Sequence, residues 1–252
     1  MPENLNRQSD SAPSVRLFVQ TPLFPGAAID CLPAQANYLG NVMRLGAGDR
    51  LLVFNGQDGE WLAAIAEARR GRCTLEALQQ ARPQTGGPDI HYLFAPLKKA
   101  RLDYMVQKAT EMGVAVLQPV MTRRTVAERV NTERMRANVI EAAEQCGVLR
   151  LPEVRAPERL GTIVRIWEPV RALILADEAA PIVSPLEALG TILRGPAALL
   201  VGPEGGFDES ERETLRKLPF VHPISLGPRI MRADTAAVAA LALMNAVLGD
   251  WR

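Results

Sequence analysis

Two segments near the C-terminus decide the fold, A-A-L-L-V-G-P-E-G-G-F-D-E-S-E at residues 197–211 and I-S-L-G-P-R-I-M-R-A-D-T-A at residues 224–236. Each reads as a short apolar strand, a tight Gly-Pro turn and the start of a helix. Open α/β sheets build cofactor sites at turns of this kind, because glycines let a ligand approach the backbone closely. Two such turns predict one pocket lined by both, although the same glycines would also suit plain connections.

Strands and helices also alternate upstream of these segments. The pattern predicts strands at residues 90–95, 114–120, 173–176, 197–201 and 224–226, and helices at residues 100–112, 132–146, 185–193, 209–217 and 235–248. Thr132 is the predicted N-cap of the second helix, Gly147 follows its end, and Asp208 with Glu211 forms a predicted capping box. This alternation predicts an α/β domain with a mainly parallel sheet covered on both faces.

The N-terminal third of the chain has a different rhythm. Residues 1–13 predict a flexible tail, and residues 15–78 hold short β-type runs between turns, including N-V-M-R-L at residues 41–45. Several strands of this length predict a small β-barrel. The Pro- and Gly-rich residues 81–89 form the predicted linker. We therefore expect a tail at residues 1–13, a β-barrel domain at residues 14–82 and an α/β domain at residues 83–252.

Composition excludes several classes of protein. The chain has 252 residues, of which 48% are apolar and 23% charged, as in a soluble globular protein. Its three cysteines and two histidines argue against a disulfide framework, a metal site and a Ser-His-Asp triad, and they favour a reducing compartment. The longest apolar stretch, residues 236–244, is too short to cross a bilayer. A cytoplasmic location without membrane contact is expected.

Charge is uneven along the chain although the net charge is only +1. Residues 96–136 carry nine Lys or Arg against four Asp or Glu, a local charge of +5, whereas residues 1–85 carry eight of each sign. Such a patch either meets RNA phosphates or forms a solvated helix face.

The Gly-Pro segments do not match the common nucleotide loops. No Lys-Ser/Thr follows the glycines of G-P-E-G-G, and their spacing is not G-x-G-x-x-G, so a P-loop and a nucleotide-dependent oxidoreductase are disfavoured. Arg229 and Arg232 lie just ahead of a helix start, where positive charge opposes the helix dipole. They indicate a bound anion, a developing negative charge, or an ion pair of Arg232 with Asp234 or Glu204. The apolar helix at residues 235–248 belongs to a core or to a subunit interface.

Both segments resemble the signature loops of the bacterial 16S ribosomal RNA uridine-N3 methyltransferases of the SPOUT superfamily. The similarity extends to Q-K-A-T-E-M-G at residues 107–113, P-V-M-T-R-R-T-V at residues 119–126 and E-A-A-E-Q-C-G at residues 141–147. In the first domain, V-R-L-F-V at residues 15–19 and N-V-M-R-L-G-A-G-D at residues 41–49 are similar to the family's PUA-like domain. The resemblance covers residues 15–250. Met231 and Asp234 stand where the family commonly has Leu and Glu.

The resemblance implies a C-terminal SPOUT domain with a trefoil knot, preceded by a PUA-like β-barrel that docks RNA. It further implies S-adenosylmethionine (SAM) as cofactor, no metal, a homodimer with the active site near the subunit interface, and 16S rRNA in the 30S subunit as substrate. The cofactor residues that it indicates are Leu175, Ala176, Val201, Gly202, Pro203, Gly205, Gly206, Ser225, Leu226, Gly227, Ile230, Met231 and Arg232. Candidate catalytic residues are Arg232, Arg229 and Glu204, and candidate RNA contacts are Arg16, Arg44, Arg123 and Arg124.

The chemistry of N3 methylation suits these residue types. Loss of the N3 proton leaves negative charge on O2 and O4 of the uracil, which Arg232 or Arg229 would stabilise. Glu204 is the nearest candidate for a general base. Two alternatives stay open at this point: a SPOUT ribose 2′-O-methyltransferase, and an RNA-binding or ribosome-assembly factor without catalysis.

Overall fold

A computed structural model describes residues 15–69, 71–127, 129–181 and 183–251. The flexible tail predicted at residues 1–13 lies outside these ranges. The chain divides into two compact units, Met1–Thr85 and Gly86–Arg252.

The first unit is built on one sheet. Its elements are β1 (Arg16–Phe18), β2 (Ala28–Asp30), α1 (Pro33–Asn37), a π-helical segment (Tyr38–Val42), β3 (Arg50–Phe54), β4 (Glu60–Arg69) and β5 (Arg72–Arg82). The strand order is β1-β3-β4-β5-β2, with β1 and β3 parallel and the other neighbours antiparallel. Alternate residues such as Leu51, Val53, Ala63 and Ile65 are buried, so one side of the sheet forms the core of this unit.

The run at residues 41–45 is not a strand, contrary to the prediction. The segment Tyr38–Val42 instead prolongs α1 as a π-helical turn, and Asn41 Nδ2 donates to Asn37 Oδ1 at 2.7 Å across it. Leu39, only 1% exposed, packs from this turn into the core. Helix α1 begins at Pro33, and burial of Leu39 stabilises its π-helical continuation. These two effects outweigh the β propensity of residues 41–45.

The second unit alternates strands and helices. Its elements are β6 (Ile90–Phe94), α2 (Lys99–Glu111), β7 (Val116–Met121), α3 (Thr132–Cys146), β8 (Glu153–Val154), β9 (Glu158–Arg159), α4 (Leu160–Arg165), β10 (Ala172–Ala176), α5 (Pro185–Gly190), β11 (Ala197–Val201), α6 (Glu209–Arg216), β12 (Val221–Ile224) and α7 (Ala233–Val247). The sheet order is β12-β10-β11-β6-β7-β8, every pairing is parallel, and β9 adds a further parallel pair with β7. The predicted mainly parallel sheet is confirmed.

Helices cover both faces of this sheet. On β6, Tyr92 packs into a core with α2, α3 and α7, whereas the next residue, Leu93, packs into a second core with α4 and α6. Successive strand residues point to opposite faces, so a strand buried on both faces is apolar throughout. The trefoil knot implied by the resemblance stays a prediction.

Most other differences from the sequence analysis lie at element ends. β5 runs to Arg82, so the predicted linker at residues 81–89 begins inside a strand. The last strand is Val221–Ile224, not residues 224–226, because its register follows β10. The N-cap of α3 is Asn131, whose Oδ1 accepts from Arg134 N at 3.0 Å, and not Thr132. The short elements β2, α1, β8, β9 and α4 were not predicted.

Two predicted helix signals are confirmed. Gly147 ends α3 in the left-handed conformation at φ 78°. Asp208 and Glu211 form the capping box at the start of α6. These caps place the beginning of α6 directly after the first Gly-Pro loop.

Helix α7 is buried on one side only. Ala237, Leu241 and Met244 lie in the core, and the amide of Asn245 donates to Met112 O at 2.9 Å. The outward side, which includes Val238, Ala239 and Ala242, is partly exposed in the single chain. The helix therefore has both a core face and an uncovered apolar face.

Candidate functional site

A cavity of about 330 Å³ opens at the carboxyl ends of β10, β11 and the segment after β12. Three segments line it, residues 176–178, 201–207 and 226–231, together with Ala233 and Ala236 of α7. Parallel α/β sheets bind ligands at this edge, because the loops that leave the strands meet there. The structure thus brings the two Gly-Pro loops into one pocket, as expected.

The first loop is shaped by close packing around two glycines. A Cβ atom at Gly202 would lie 2.8 Å from the ring of Phe207, so only a glycine fits beneath that buried ring. Gly206 has φ +68°, a left-handed conformation that side chains other than glycine adopt at a cost. The loop therefore presents its backbone, and no bulky side chain, to the cavity.

The second loop also exposes its backbone. Ser225 is buried, and its Oγ accepts from Gly227 N at 3.2 Å, which forms a tight turn. Gly227 has φ +101°, and a Cβ there would meet no atom within 4 Å. Beyond the turn, Arg229 and Ile230 are exposed at the mouth of the cavity.

Most of the predicted cofactor residues line this cavity. The ones that do are Ala176, Val201, Gly202, Pro203, Gly205, Gly206, Leu226, Gly227, Ile230 and Met231. Leu175 and Ser225 do not line it, and both residues are buried. Arg232 is exposed and also lies outside the lining. Residues outside the predicted set also line the cavity, namely Asp177, Glu178, Phe207, Pro228, Ala233 and Ala236.

Two of the three catalytic candidates line the cavity. Arg229 and Glu204 line it, whereas Arg232 is the N-cap residue of α7 and makes no side-chain capping bond. The sequence left open an ion pair of Arg232 with Asp234 or Glu204. In the described part of the chain, both carboxylates pair with Arg101 instead. Its Nη1 lies 3.6 Å from Glu204 Oε1, and its Nε lies 4.0 Å from Asp234 Oδ2. Neither carboxylate pairs with Arg232, so an ion pair does not account for this arginine.

A charged cluster beneath the cavity was missed by the sequence analysis. The fully buried Asp177 carboxylate contacts Arg216 at 2.6 Å and Arg212 at 3.3 Å. Arg212 also contacts Glu178 at 2.8 Å and Glu209 at 3.2 Å, so it ties the end of β10 to α6. The signal was available, because Asp177 and Glu178 directly follow a buried strand at its carboxyl end.

Comparisons with known proteins identify the family. The family model described as an RNA methyltransferase domain matches residues 85–245, and the one described as an RNA methyltransferase PUA domain matches residues 33–78. The ribosomal RNA small subunit methyltransferase E of Synechocystis sp. is 32% identical over 98% of this chain and 82% of its own length. The relative of the same name from Rickettsia conorii is 30% identical over 90% of this chain and 93% of its own. The chain belongs to the ribosomal RNA small subunit methyltransferase E family.

Solved structures of similar proteins share the fold of this methyltransferase E chain. A methyltransferase from Legionella pneumophila in complex with SAM is 30% identical, with a TM-score of 0.81 over 94% of this chain and 98% of that one. The methyltransferase E of Neisseria gonorrhoeae bound to SAM is 25% identical, with a TM-score of 0.83 over 94% of this chain and 99% of that one. The expected PUA-like and methyltransferase domains are confirmed.

In this family member, two RNA candidates of the second unit contact the loop after β11. Arg124 Nη1 donates to the carbonyl of Gly205 at 2.8 Å. Arg123 Nη1 donates to Asp208 Oδ1 at 2.9 Å, and its backbone N–H donates to Glu211 Oε1 at 3.0 Å. Both arginines follow β7, so they connect the end of that strand with the loop after β11.

The RNA candidates of the first unit differ from each other. The Arg16 side chain is only 10% exposed, pairs with Glu60 and lies 3.9 Å from the ring centroid of Phe54. Burial of Glu60 opposes its ionisation, but Arg82 and Arg16 hold its pKa below the usual value. Arg44 is exposed, with φ 58°, and is the one non-glycine residue of the described ranges with positive φ. Arg16 therefore has a structural partner, and Arg44 faces solvent.

Two kinds of feature are absent from the described residues. No helix among them is long and apolar enough to cross a membrane. They also contain no group of three or more His, Cys, Asp or Glu side chains suited to hold a metal ion.

Proposed function

We propose that this protein transfers the methyl group of SAM to N3 of a uridine in the 16S rRNA of the small ribosomal subunit. The observation that carries the proposal is the cavity that both Gly-Pro loops form at the carboxyl edge of the sheet, in a member of the methyltransferase E family. Family membership supports rRNA of the small subunit as the substrate. The choice of N3 rests on the resemblance of the two loops.

The lining of the cavity fits SAM. Val201, Leu226 and Met231 offer an apolar surface suited to the adenine ring, and exposed loop backbone can satisfy its polar edge. The carboxylates of Glu178 and Glu204 favour a ligand that carries a positively charged sulfonium. The volume lies within the range of small-molecule sites, roughly 300–1,000 Å³.

Arg229 in the cavity lining and Arg232 at the start of α7 would supply the electrostatic part of catalysis. When bound, SAM would supply an electrophilic methyl group. The protein would orient the uracil so that N3 attacks the methyl carbon in line, while the carbon–sulfur bond breaks and S-adenosylhomocysteine leaves. As N3 loses its proton, negative charge grows on O2 and O4, and the guanidinium of Arg232 or Arg229 stabilises it. Arg232 suits this role, because its exposed side chain is not used for capping α7.

Glu204 is the proposed acceptor of the N3 proton. It lines the cavity, its side chain is 45% exposed, and Arg101 lies 3.6 Å away. A carboxylate at the rim can pass a proton to water, and Arg101 on α2 would hold the carboxylate in one orientation.

We further propose a homodimer that acts in the cytoplasm on the 30S subunit. The partly exposed apolar side of α7 supports a subunit interface, as does Ile230, which is 93% exposed beside the cavity. The first unit would dock the RNA, with Arg44 as the contact that its exposure favours.

Primer extension on 16S rRNA tests the proposal. An N3-methyl group blocks the pairing edge of uracil, so reverse transcriptase should stop at the target in wild-type RNA and read through in RNA from a strain lacking the gene. A plasmid copy of the gene should restore the stop. A stop that persists in the deletion strain would refute the assignment. An alkali-resistant linkage without a stop would indicate ribose methylation, and absence of saturable SAM binding in calorimetry would indicate a factor without catalysis.

A further inference from the structure

A groove separates α4 from α6, beside the loop that follows β7. It consists of two adjoining hollows of about 530 and 390 Å³. Both hollows are lined by Arg123, Leu160, Gly161, Arg165 and Glu211. A Cβ atom at Gly161 would meet nothing within 4 Å, so the groove is open above this residue. Its size and openness suit an extended polymer better than a small enclosed ligand.

The groove carries unbalanced positive charge. Arg123, Arg159 and Arg165 line it, against the single carboxylate of Glu211. Glu211 accepts hydrogen bonds from the backbone N–H groups of Arg123 and Asp208, so it is already engaged. Arg159 and Arg165 are exposed, and within the described ranges their guanidinium groups have no ion pair or hydrogen bond. Two free guanidinium groups thus face a solvent-filled channel.

The groove adjoins the proposed cofactor cavity. Arg159 ends β9 and pairs with Met121 at the end of β7, so the groove lies at the same carboxyl edge of the sheet as the cavity. The loop at residues 202–208 lies between them, because it lines the cavity and its Asp208 contacts Arg123 at 2.9 Å. A polymer that occupies the groove therefore passes next to the cavity.

We propose that this groove binds the phosphodiester backbone of the rRNA beside the target nucleotide, with Arg159 and Arg165 as the phosphate contacts. A planar guanidinium binds phosphate oxygens in a bidentate manner. Contacts of this kind set the position of the nucleic acid without reading its sequence. The inference rests on the proposed function, since it names a subsite for the same substrate.

The test compares the double variant Arg159→Ala/Arg165→Ala with a matched control, Arg194→Ala/Lys217→Ala. The control removes two exposed positive charges from the opposite edge of the sheet, ahead of β11 and β12. Methyl transfer to small subunits from the deletion strain gives KM and kcat, and calorimetry gives the affinity for SAM. Retained SAM affinity and thermal midpoint verify that the variants are folded.

We expect the groove variant to raise KM for the subunits about tenfold with little change in kcat, and to lower the salt dependence of log KM by about 1.5 for two lost phosphate contacts. The control should behave as the wild type. Equal KM values and salt dependence in the two variants would overturn the groove assignment while leaving the proposed function intact. If the wild type itself fails to methylate the subunits, it is the proposed function that fails.

A photocrosslinker identifies what fills the groove. Benzoylphenylalanine in place of Gly161 projects into open space, so it should leave the fold unchanged. Illumination of the complex with small subunits is expected to join the protein to rRNA. Crosslinks to a ribosomal protein instead, or none, would refute RNA as the occupant.

Discussion

A Cβ atom at Gly206 would lie 2.6 Å from Oε1 of Glu178, because the loop after β11 packs onto the carboxylate that follows β10. Gly206 also has a positive φ of +68°. We expect Gly206→Ala to displace the Glu178 carboxylate and to strain the loop at its positive φ, and so to weaken SAM binding by about fivefold, which isothermal titration calorimetry measures.

Gly190 provides the matched control. At Gly190, the last residue of α5, a Cβ would meet nothing within 4 Å, and no positive φ is required. Gly190 also lies outside the lining of the cavity, so Gly190→Ala should bind SAM as the wild type does. Equal losses in both variants would contradict the packing argument.

Arg232→Ala should separate catalysis from cofactor binding. The side chain does not cap α7 and does not line the cavity, so its removal should leave the fold and SAM affinity intact. If Arg232 stabilises charge on the uracil, kcat should fall by about 100-fold or more. Single-turnover transfer to small subunits measures this effect. Near-normal turnover would remove Arg232 from the mechanism and leave Arg229 as the candidate.

Arg44 joins an exposed guanidinium to a strained backbone with φ 58°. Arg44→Gly should relieve the strain and raise the free energy of unfolding by about 1 kcal/mol, because glycine adopts this conformation freely. Arg44→Ala keeps the strain and removes the charge. Both variants should lose affinity for small subunits to the same extent if the side chain contacts RNA. Unchanged affinity in both would show that it does not.

His91 should make stability fall in mildly acidic solution. Burial and the nearby Arg171 lower the pKa of His91 from 6.5 to about 4. As the pH falls through 6.5, His91 is protonated in the unfolded chain but stays neutral in the folded protein. The free energy of unfolding therefore has its full value above pH 6.5 and declines toward pH 4. Urea unfolding gives the free energy of unfolding at pH 7 and at pH 5. The decrease between the two pH values should be about 1–2 kcal/mol smaller in His91→Gln than in the wild type. Parallel losses in both proteins would rule out this contribution.

The uncovered side of α7 predicts the assembly state. Val238 and Ala242 lie one turn apart on this side and are only partly exposed. Ala242→Glu should place a carboxylate in the proposed interface and convert a dimer into a monomer, as measured by analytical ultracentrifugation. Ala66→Glu, at an exposed position of β4, is the control and should stay dimeric. A monomeric wild type would refute the interface.

The sequence was most informative where local and global signals agree. The strand-to-helix rhythm of the second unit predicted its parallel sheet, because a parallel strand must be followed by a crossover. The Asp208–Glu211 capping box also appeared as predicted, since its hydrogen bonds are local. By contrast, the run at residues 41–45 was wrongly predicted as a strand. The π-helical turn that enters this run is stabilised by the burial of its Leu39, and no pattern in residues 41–45 indicates that burial.

Site residues were predictable to the extent that they lie on the loops themselves. Ten of the predicted cofactor positions line the cavity, but Leu175 is turned into the core by the alternation of β10. The pairing of Arg101 with Glu204 joins residues on α2 and the β11 loop, and such long-range ion pairs cannot be read from spacing. Arg159 and Arg165 of the groove were not predicted, because α4 and β9 are too short to give a periodic signal.

The hydrogen bond from Arg124 to the Gly205 carbonyl has a thermodynamic consequence. It links the loop that lines the cavity to the segment after β7 that lines the groove. A ligand that restricts the motion of one site therefore also restricts the motion of the other. If both proposals hold, the free energies of the two binding events are coupled. Thermodynamic linkage then requires that SAM raise the affinity for RNA by the same factor by which RNA raises the affinity for SAM. An encounter with the correct subunit would thus retain the methyl donor until transfer.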